Sequence, residues 1–386
     1  MRVAIYHNLP DGGAIRALHE LVRHSYEEVE YDLYQLAPID EASRYNFQPY
    51  VKNHKSYDYI YSPPKIDILM EIVTRFARLR RIQKNIAHEI DSKNYDAVFV
   101  HHCAIAQTPF LLECLKTKSL YFIQEPRRLS FEQDFYRSSK EMIPKVRRAP
   151  WVLRQKILKG FDIVNARKCS AALCNSKYAQ GNISKAYNIN AEVCYLGIDK
   201  EKFFYTKQAK KNQIVVVGTL HPAKGQDLAI RALSKVESKK GMKLIFVYEN
   251  YDIRYKRALE VLSKELGITA EFRQGVTDEQ LARIYRESIM TLAVAAKEPF
   301  GFTPIESAAC GTPTVAVKEG GYLETVMDGE NGLLCNRNAK SIARAIHEAI
   351  QTKWDPAKMS KKARLQWSWQ ASAKTYLTVL EELVND

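Results

Sequence analysis

The chain has 386 residues, which is enough for two domains of ordinary size, and its 46% hydrophobic and 26% charged residues are typical of globular proteins. No apolar run is long enough for a membrane span, and the short apolar start of the chain resembles a strand and not a signal peptide. Seven cysteines without a CxxC pair favour reduced thiols in a cytoplasmic protein. The net charge of +14 favours an anionic partner, but without a recognisable binding motif we expect no nucleic acid.

Short apolar strands alternate with helical patterns in the first half of the chain. Residues 3–7 are predicted to form a strand, a loop with Gly12 and Gly13 follows, and residues 14–24 have the apolar spacing of an amphipathic helix. Further buried strands are predicted at 97–100, 119–123 and 171–174. This alternation predicts a parallel sheet with helices on both faces.

Two adjacent histidines, His101 and His102, follow the strand predicted at 97–100. Neighbouring strand residues point to opposite faces, so the two side chains are not expected to act at one site. Either histidine could contact a ligand, and a histidine that merely ends the strand is the alternative. No second ligand pair with zinc spacing accompanies them, so no metal site is predicted.

Segment 140–168 combines strong positive charge with apolar residues. It contains nine lysines and arginines and two acidic residues. The apolar residues between them are Met142, Ile143, Val146, Trp151, Val152, Leu153, Ile157, Leu158 and Phe161. One interpretation is a solvated helix face. The other is contact with an anionic partner, which could be a membrane surface, a polyprenyl phosphate or an acidic glycan.

A second α/β series follows a polar, basic stretch at 200–211, which is a candidate linker between two domains. The predicted strands of this series are 213–217, 243–248, 268–273, 289–295 and 314–317. The predicted helices are 255–266, 278–288 and 370–384.

The most informative stretch begins at Glu298, directly after the strand predicted at 289–295. Thr303, Pro304 and Glu306 have the pattern of a helix start, with an N-cap, a first-turn proline and a capping-box glutamate. On this pattern alone, Glu306 is a capping residue and Glu298 is a loop carboxylate. A strand, a tight loop and a helix would nevertheless place Glu298 at the carboxyl edge of a sheet, where open α/β sheets bind phosphate-bearing ligands.

Two glutamates separated by seven residues, with Phe300 and Gly301 between them, resemble the signature of family 4 retaining glycosyltransferases. The resemblance is strong over 213–334, moderate over 171–203 and weak over 25–95. It implies the GT-B fold, an α/β architecture of two Rossmann-like domains that face each other across a cleft. The implied parts are an acceptor-binding domain at 1–200, a nucleotide-sugar-binding domain at 201–368, and a helix at 369–386 that returns to the first domain.

In the resembled family, a glycine at a strand end, then Arg-Leu and Lys-Gly, form a clamp for the donor diphosphate. Gly218, Leu220, Lys224 and Gly225 match this pattern, whereas Thr219 occupies the place of the arginine. A hydroxyl has neither the charge nor the bidentate reach of a guanidinium. Either another base supplies the second positive contact, or donor affinity is weak, or the activity has been lost.

The resemblance also implies which residues act in the transfer. Glu298 would contact the transferred sugar, and Glu306 would accept hydrogen bonds from the ribose. The implied catalytic residues are Glu298, His102 (or His101) and Lys224. The implied donor-binding residues are Gly12, Gly13, Gly218, Thr219, Lys224, Phe300, Gly301, Phe302, Thr303 and Glu306.

The expected activity is therefore retaining transfer of mannose from GDP-mannose, or of glucose from UDP-glucose, to a glycan or lipid-linked acceptor. No cofactor is expected, and no metal, because the chain lacks the Asp-x-Asp motif of metal-dependent enzymes. Segment 140–168 would hold the protein at the inner face of the cytoplasmic membrane. The alternatives are a GT-B phosphorylase or epimerase, and a weak or inactive nucleotide-sugar-binding scaffold. Thr219, together with Gln124 where some relatives have histidine, supports the scaffold alternative.

Overall fold

The computed structural model describes residues 1–36, 45–59, 68–141, 143–237 and 240–386. The chain divides into two compact units, Met1–Tyr195 with Gln370–Asp386, and Leu196–Trp369. Each unit contains its own parallel β-sheet. None of the helices within these ranges is long and apolar enough to cross a membrane. Met142, one of the apolar residues of segment 140–168, lies outside the described residues.

The first unit contains a seven-stranded sheet whose paired strands all run parallel. Its strands are β1 (Arg2–Asn8), β2 (Glu30–Leu36), β3 (Asn53–Tyr57), β4 (Ala97–Cys103), β5 (Ser119–Phe122), β6 (Ala171–Cys174) and β7 (Glu192–Val193). Their order is β3-β2-β1-β4-β5-β6-β7. Strand β1 lies inside this sheet and is buried from Val3 to Asn8, as expected for a parallel strand covered on both faces.

Helices connect these strands and cover the sheet. In chain order they are α1 (Gly13–Arg23), α2 (Ile68–Asp91), α3 (Leu111–Cys114), α4 (Arg128–Phe131), α5 (Gln133–Glu141), α6 (Arg148–Ala166) and α7 (Lys177–Tyr187). One hydrophobic core joins β1, β4 and β5 to α2, α6 and α7. The connections leave the sheet at its carboxyl edge, so the loops after β1, β4 and β5 share that edge.

The second unit contains a six-stranded sheet, again with parallel pairing throughout. Its strands are β8 (Lys211–Val217), β9 (Lys243–Tyr248), β10 (Thr269–Gln274), β11 (Ser288–Ala293), β12 (Thr314–Val317) and β13 (Gly332–Cys335). Their order is β10-β9-β8-β11-β12-β13, which makes β8 and β11 neighbours at the centre. Its helices are α8 (Gln226–Leu233), α9 (Ile253–Glu265), α10 (Asp278–Glu287), α11 (Phe302–Ala309), α12 (Tyr322–Thr325), α13 (Ala339–Gln351) and α14 (Pro356–Gln366).

The last helix, α15 (Trp369–Asn385), belongs to the first unit from Gln370 onward. The ring of its Tyr376 lies 4.5 Å from that of Phe99 on β4, centroid to centroid. The Tyr31 hydroxyl donates a hydrogen bond to the Tyr376 hydroxyl at 3.1 Å. The end of the chain therefore completes the core of the unit that its beginning forms.

The predicted α/β class with two Rossmann-like domains is confirmed, and strands lie at or within a few residues of the predicted positions. The predicted start of α11 is wrong. The helix begins at Phe302, its N-cap is Gly301 with φ of +98°, and no side chain caps it. Thr303 therefore lies within the first turn, and Glu306 has no capping role.

Candidate functional site

Lys224 and Glu298 meet at the carboxyl edge of the second sheet. Lys224 lies in the loop after β8, and Glu298 lies in the loop after the adjacent strand β11. The Lys224 Nζ donates a hydrogen bond to the Glu298 Oε2 at 2.7 Å. Two residues 74 positions apart in sequence are thus brought together by the pairing of their strands.

A close backbone approach fixes the position of Lys224. A short 3-10 turn, Pro222–Lys224, ends at Gly225, whose φ is +70°. A Cβ at Gly225 would lie 2.6 Å from the Val294 carbonyl oxygen, so only glycine permits this contact with the end of β11. The Ala296 N–H also donates to the Ala223 carbonyl at 3.0 Å. A hydrogen bond and a close backbone contact therefore join the turn to the segment that leads to Glu298.

The loop that carries Glu298 packs equally closely against the loop after β12. A Cβ at Gly320 would lie 2.4 Å from the Glu298 carbonyl oxygen, and the Gly321 N–H donates to that oxygen at 2.7 Å. Gly301 has a left-handed φ and faces the ring of Tyr322, 2.8 Å from where its Cβ would be. These contacts hold the backbone of the 298–303 loop in one conformation.

Aromatic side chains support the same loop from the other end of the unit's sequence. The Phe300 ring lies 5.6 Å from those of Phe302 and Trp367, and the Phe302 ring lies 6.1 Å from that of Trp369. These are edge-on or tilted contacts of the kind that aromatic pairs prefer. Phe300 is buried, whereas Phe302 and Thr303 keep part of their surface exposed at the start of α11.

Glu306 lies one turn into α11 and is only 3% exposed. Its Oε2 accepts a hydrogen bond from the Tyr285 hydroxyl at 3.2 Å. Burial and the nearby Glu306 carboxylate raise the pKa of Tyr285 well above its ordinary value, so the phenol keeps its proton and remains a donor. Glu306 is thus held by a side chain of α10.

The ion pair between Lys224 and Glu298 is accessible to solvent. Their side chains are 34% and 21% exposed, and ion pairs that reach solvent contribute only about 0–1 kcal/mol. A phosphate group would compete with Glu298 for the Lys224 ammonium at little cost. Gly218 leaves room on the same side, because a Cβ there would be 4.0 Å from the Lys224 Cδ.

Thr219 occupies an exposed position after β8, and its carbonyl accepts a hydrogen bond from the Gln226 amide at 2.9 Å. A different basic side chain, that of Arg337, lies near this loop. Arg337, exposed just beyond β13, has its Nη2 3.6 Å from the Cβ position of Gly225. This guanidinium could not be assigned to the site from the sequence, because β13, whose carboxyl end lies at the shared edge, was not among the predicted strands.

The remaining predicted residues lie in the first unit. Gly12 and Gly13 are exposed where β1 leads into α1, and a Cβ at Gly12 would have no neighbour within 4 Å. Burial lowers the pKa of His102 to about 4, so this partly exposed histidine is neutral at pH 7. His101 is fully buried between Phe99 and Phe122, at ring distances of 4.8 Å and 5.2 Å. Of the two histidines, only His102 has surface to offer a ligand, and the donor-binding roles of this group remain predictions.

Comparison with known proteins relates this geometry to an enzyme class. Residues 197–366 match the family model described as glycosyl transferases group 1. That range includes both glutamates, Lys224 and the glycines of the second unit. It covers less than half of the chain and none of the first unit's candidate residues.

Two relatives agree with this match. Over 168 residues, 40% of the chain, it is 30% identical to D-inositol 3-phosphate glycosyltransferase of Acidothermus cellulolyticus, and it covers 38% of that protein. Over 360 residues, 81% of the chain, it is 23% identical to the alpha-1,3/1,6-mannosyltransferase ALG2 of Dictyostelium discoideum, and it covers 82% of that protein. The chain thus spans about two fifths of the first relative and four fifths of the second.

The fold is that of solved glycosyltransferase structures. The complex of Anabaena HepE with UDP-glucose superposes with a TM-score of 0.72 at 18% sequence identity, over 99% of this chain and 100% of that one. At that identity the likeness establishes the fold alone. Two parallel-sheet Rossmann-like domains of this kind constitute the GT-B fold.

Proposed function

We propose that the protein is a hexosyltransferase that uses a nucleotide-sugar donor. The observation that carries the proposal is the contact between Lys224 and Glu298, held by glycine-dependent backbone contacts at the carboxyl edge of the second sheet. Both residues lie inside the segment that matches glycosyl transferases group 1, and this match relates the contact to the transfer of a sugar.

Transfer of a hexose leaves negative charge on the departing diphosphate, and the site contains groups that would stabilise it. The Lys224 ammonium and the N–H groups at the start of α11 supply positive potential where the leaving oxygen would lie. Glu298 would then be released to hydrogen-bond the transferred sugar, and Glu306 would bind the ribose. In this proposal the reaction retains the anomeric configuration, and no metal takes part.

The donor is proposed to be UDP-glucose or GDP-mannose. HepE binds UDP-glucose, and ALG2 is a mannosyltransferase, so the similar proteins include examples of both sugars. The acceptor is proposed to be a glycan or lipid-linked saccharide at the cytoplasmic side of a membrane. The exposed Arg337 is the candidate for the positive contact that Thr219 cannot make.

Thermal unfolding with a panel of nucleotide sugars tests the proposal. A donor present at a hundred times its Kd should stabilise the protein by about 2.7 kcal/mol. Lys224→Ala and Glu306→Gln should abolish the shift, and Arg337→Ala should reduce it. Lys243→Ala is the matched control, because it removes a lysine paired with Glu271 at 2.9 Å on the opposite edge of the same sheet.

Release of the nucleoside diphosphate separates the enzyme from its alternative. Stabilisation by one donor, followed by release of its nucleotide when an acceptor is added, is the expected result. Stabilisation by a donor without release of its nucleotide, whichever acceptor is added, would favour the inactive scaffold. Thr219, at the place of the arginine of the resembled family, is the argument for that alternative. A well-folded protein that no donor stabilises would contradict both.

We further propose that an exposed stripe on segment 140–168 contacts an anionic membrane surface. Four apolar side chains at helical spacing are exposed there, and Val146 reaches 87%. The stripe consists of Val146, Leu153, Phe161 and Val164. Lys145 and Arg147, both exposed, flank Val146. Apolar residues beside lysine and arginine are the combination that binds the interface of anionic lipid.

Cosedimentation with phosphatidylglycerol vesicles measures this contact. Lys145→Glu with Arg147→Glu should release the protein from the vesicles, and added salt should weaken binding of the unchanged protein. Equal binding to neutral phosphatidylcholine vesicles, or unaltered binding of the double variant, would contradict an electrostatic membrane contact.

A further inference from the structure

A groove in the first unit lies between α4, α5 and α6, beyond the carboxyl end of β5. Its volume is about 560 Å³, within the range of roughly 300–1,000 Å³ that is usual for small-molecule sites. Four cationic side chains line it: Arg137, Lys140, Lys156 and Lys159. We call this feature the basic groove. Successive residues of an α-helix are about 100° apart, which places Gln155 and Lys159 of the groove on the other face of α6 from the stripe residues of that helix.

The basic groove has an excess of positive charge. Glu132 is the one carboxylate among its described lining residues, and both of its oxygens accept hydrogen bonds from Arg128 at 3.0 Å. Within the described ranges, Arg137, Lys140 and Lys156 form no ion pair that would neutralise them. Lysine and arginine carry only donors, so this lining would favour a ligand that is rich in acceptor oxygens.

A buried amide points to the same conclusion. Gln155 is only 3% exposed and lines the groove, and its Oε1 accepts a hydrogen bond from the Arg127 Nη2 at 3.0 Å. The Gln155 Nε2 has no hydrogen-bond partner among the described residues, and neither has the buried Ser130 hydroxyl in the same wall. Buried donors without partners are costly and are normally satisfied, so a bound ligand with acceptor oxygens would stabilise this wall.

Two aromatic residues, Phe131 and Tyr136, also line the groove. The Tyr136 ring lies 5.2 Å from that of Trp151, and the Lys159 ammonium lies 4.8 Å above the ring of Phe131. Aromatic side chains beside hydrogen-bond donors suit a sugar ring, which has an apolar face and a rim of hydroxyls. The Gln124 amide, in the loop after β5, donates to the Ala14 carbonyl at 3.4 Å, so this loop adjoins the first turn of α1.

We propose that the basic groove binds a saccharide that bears an acid group, with its phosphate or carboxylate among the four cations and its ring beside Gln155 and Ser130. The proposal rests on the function proposed above, for which it specifies the acceptor as an acidic sugar. The occupant is the saccharide and not a lipid surface, because the unpartnered donors lie in the wall of a groove while the exposed apolar side chains lie on the other face of α6.

Calorimetric titration of the full chain with glucose 6-phosphate, glucuronate and glucose tests this proposal. The acids should bind at least tenfold more tightly than glucose, and preference for one of them identifies the acid group. Arg137→Glu with Lys140→Glu should weaken binding of the acid by at least tenfold. Arg81→Glu with Lys84→Glu, at exposed positions of α2 outside the groove, is the matched control, since it makes the same change of charge and should leave that affinity within about twofold.

A second variant examines the groove wall itself. Gln155→Met removes the amide donors and should weaken the binding of acid and neutral sugar alike.

Acid sugars that bind no better than glucose would overturn the proposal. Equal losses of affinity in the two charge-reversed variants would also overturn it, because they would show a general electrostatic effect of net charge and not a specific site. Loss of vesicle binding by Arg137→Glu with Lys140→Glu, without any sugar binding, would assign the groove to lipid. These titrations contain no donor, so their failure is distinct from failure of the donor site.

Discussion

Three histidines of the first unit are kept neutral by burial. Burial lowers the pKa of His7 to about 3 and of His102 to about 4, and it lowers the pKa of His101 far below its ordinary value. In the unfolded chain each would titrate near its ordinary pKa of about 6.5. Below that pH the unfolded chain binds protons that the folded chain does not, so stability falls as the pH decreases towards the folded values.

His101 allows a direct test of this linkage. Replacing it with leucine, which cannot be protonated, should flatten the dependence of Tm on pH between about pH 6.5 and 5, where each such histidine contributes up to about 1.4 kcal/mol per pH unit. Thermal unfolding across that range measures the slope, which is independent of any constant loss from altered packing. His88→Gln, at an exposed site on α2, is the control and should keep the unchanged slope. An unaltered slope in His101→Leu would contradict this, because it would show that His101 is protonated in the folded protein as readily as in the unfolded chain.

Elements with continuous apolar runs could be predicted from the sequence, and those stabilised by distant partners could not. Strands β8 and β11 have apolar centres, and both lie close to their predicted positions. Strand β2 contains the buried Asp32, which is held by hydrogen bonds from Arg2, Asn53 and Tyr95. Because two of those partners are 21 and 63 residues away, nothing local identifies a charged position as part of a buried strand.

The start of α11 shows the same limit at the candidate site. The sequence predicted a Thr303 cap, whereas the helix begins after a left-handed Gly301 that packs on Tyr322, a side chain from the next connection. Local spacing located Glu298 and Lys224 on loops after strands, but only the neighbouring positions of β8 and β11 bring them to 2.7 Å. Arg337 and Gln155 could not be found from sequence because their significance depends on what folds beside them.

At the scale of the whole molecule, each of the two units buries its own apolar side chains, and the last helix completes the first unit. Leu380 on α15 is fully buried in the first unit, 185 residues after Tyr195, where that unit is interrupted. Ile346 on α13 is equally buried in the core of the second unit. A cavity made in one unit should therefore lower the stability of that unit.

Leu380→Ala and Ile346→Ala form a matched pair that tests this division, since each removes a fully buried aliphatic side chain from a helix. Each should lose about 2–5 kcal/mol of the stability of its own unit, because truncation forfeits apolar burial and leaves a cavity. Hydrogen–deuterium exchange of the full chain should rise in β1 and β4 for Leu380→Ala, and in β8 and β11 for Ile346→Ala. Exchange that rises in both sheets for either variant would show one cooperative unfolding unit. Exchange confined to the separate sheets would mean that the donor site and the basic groove belong to parts that can open independently.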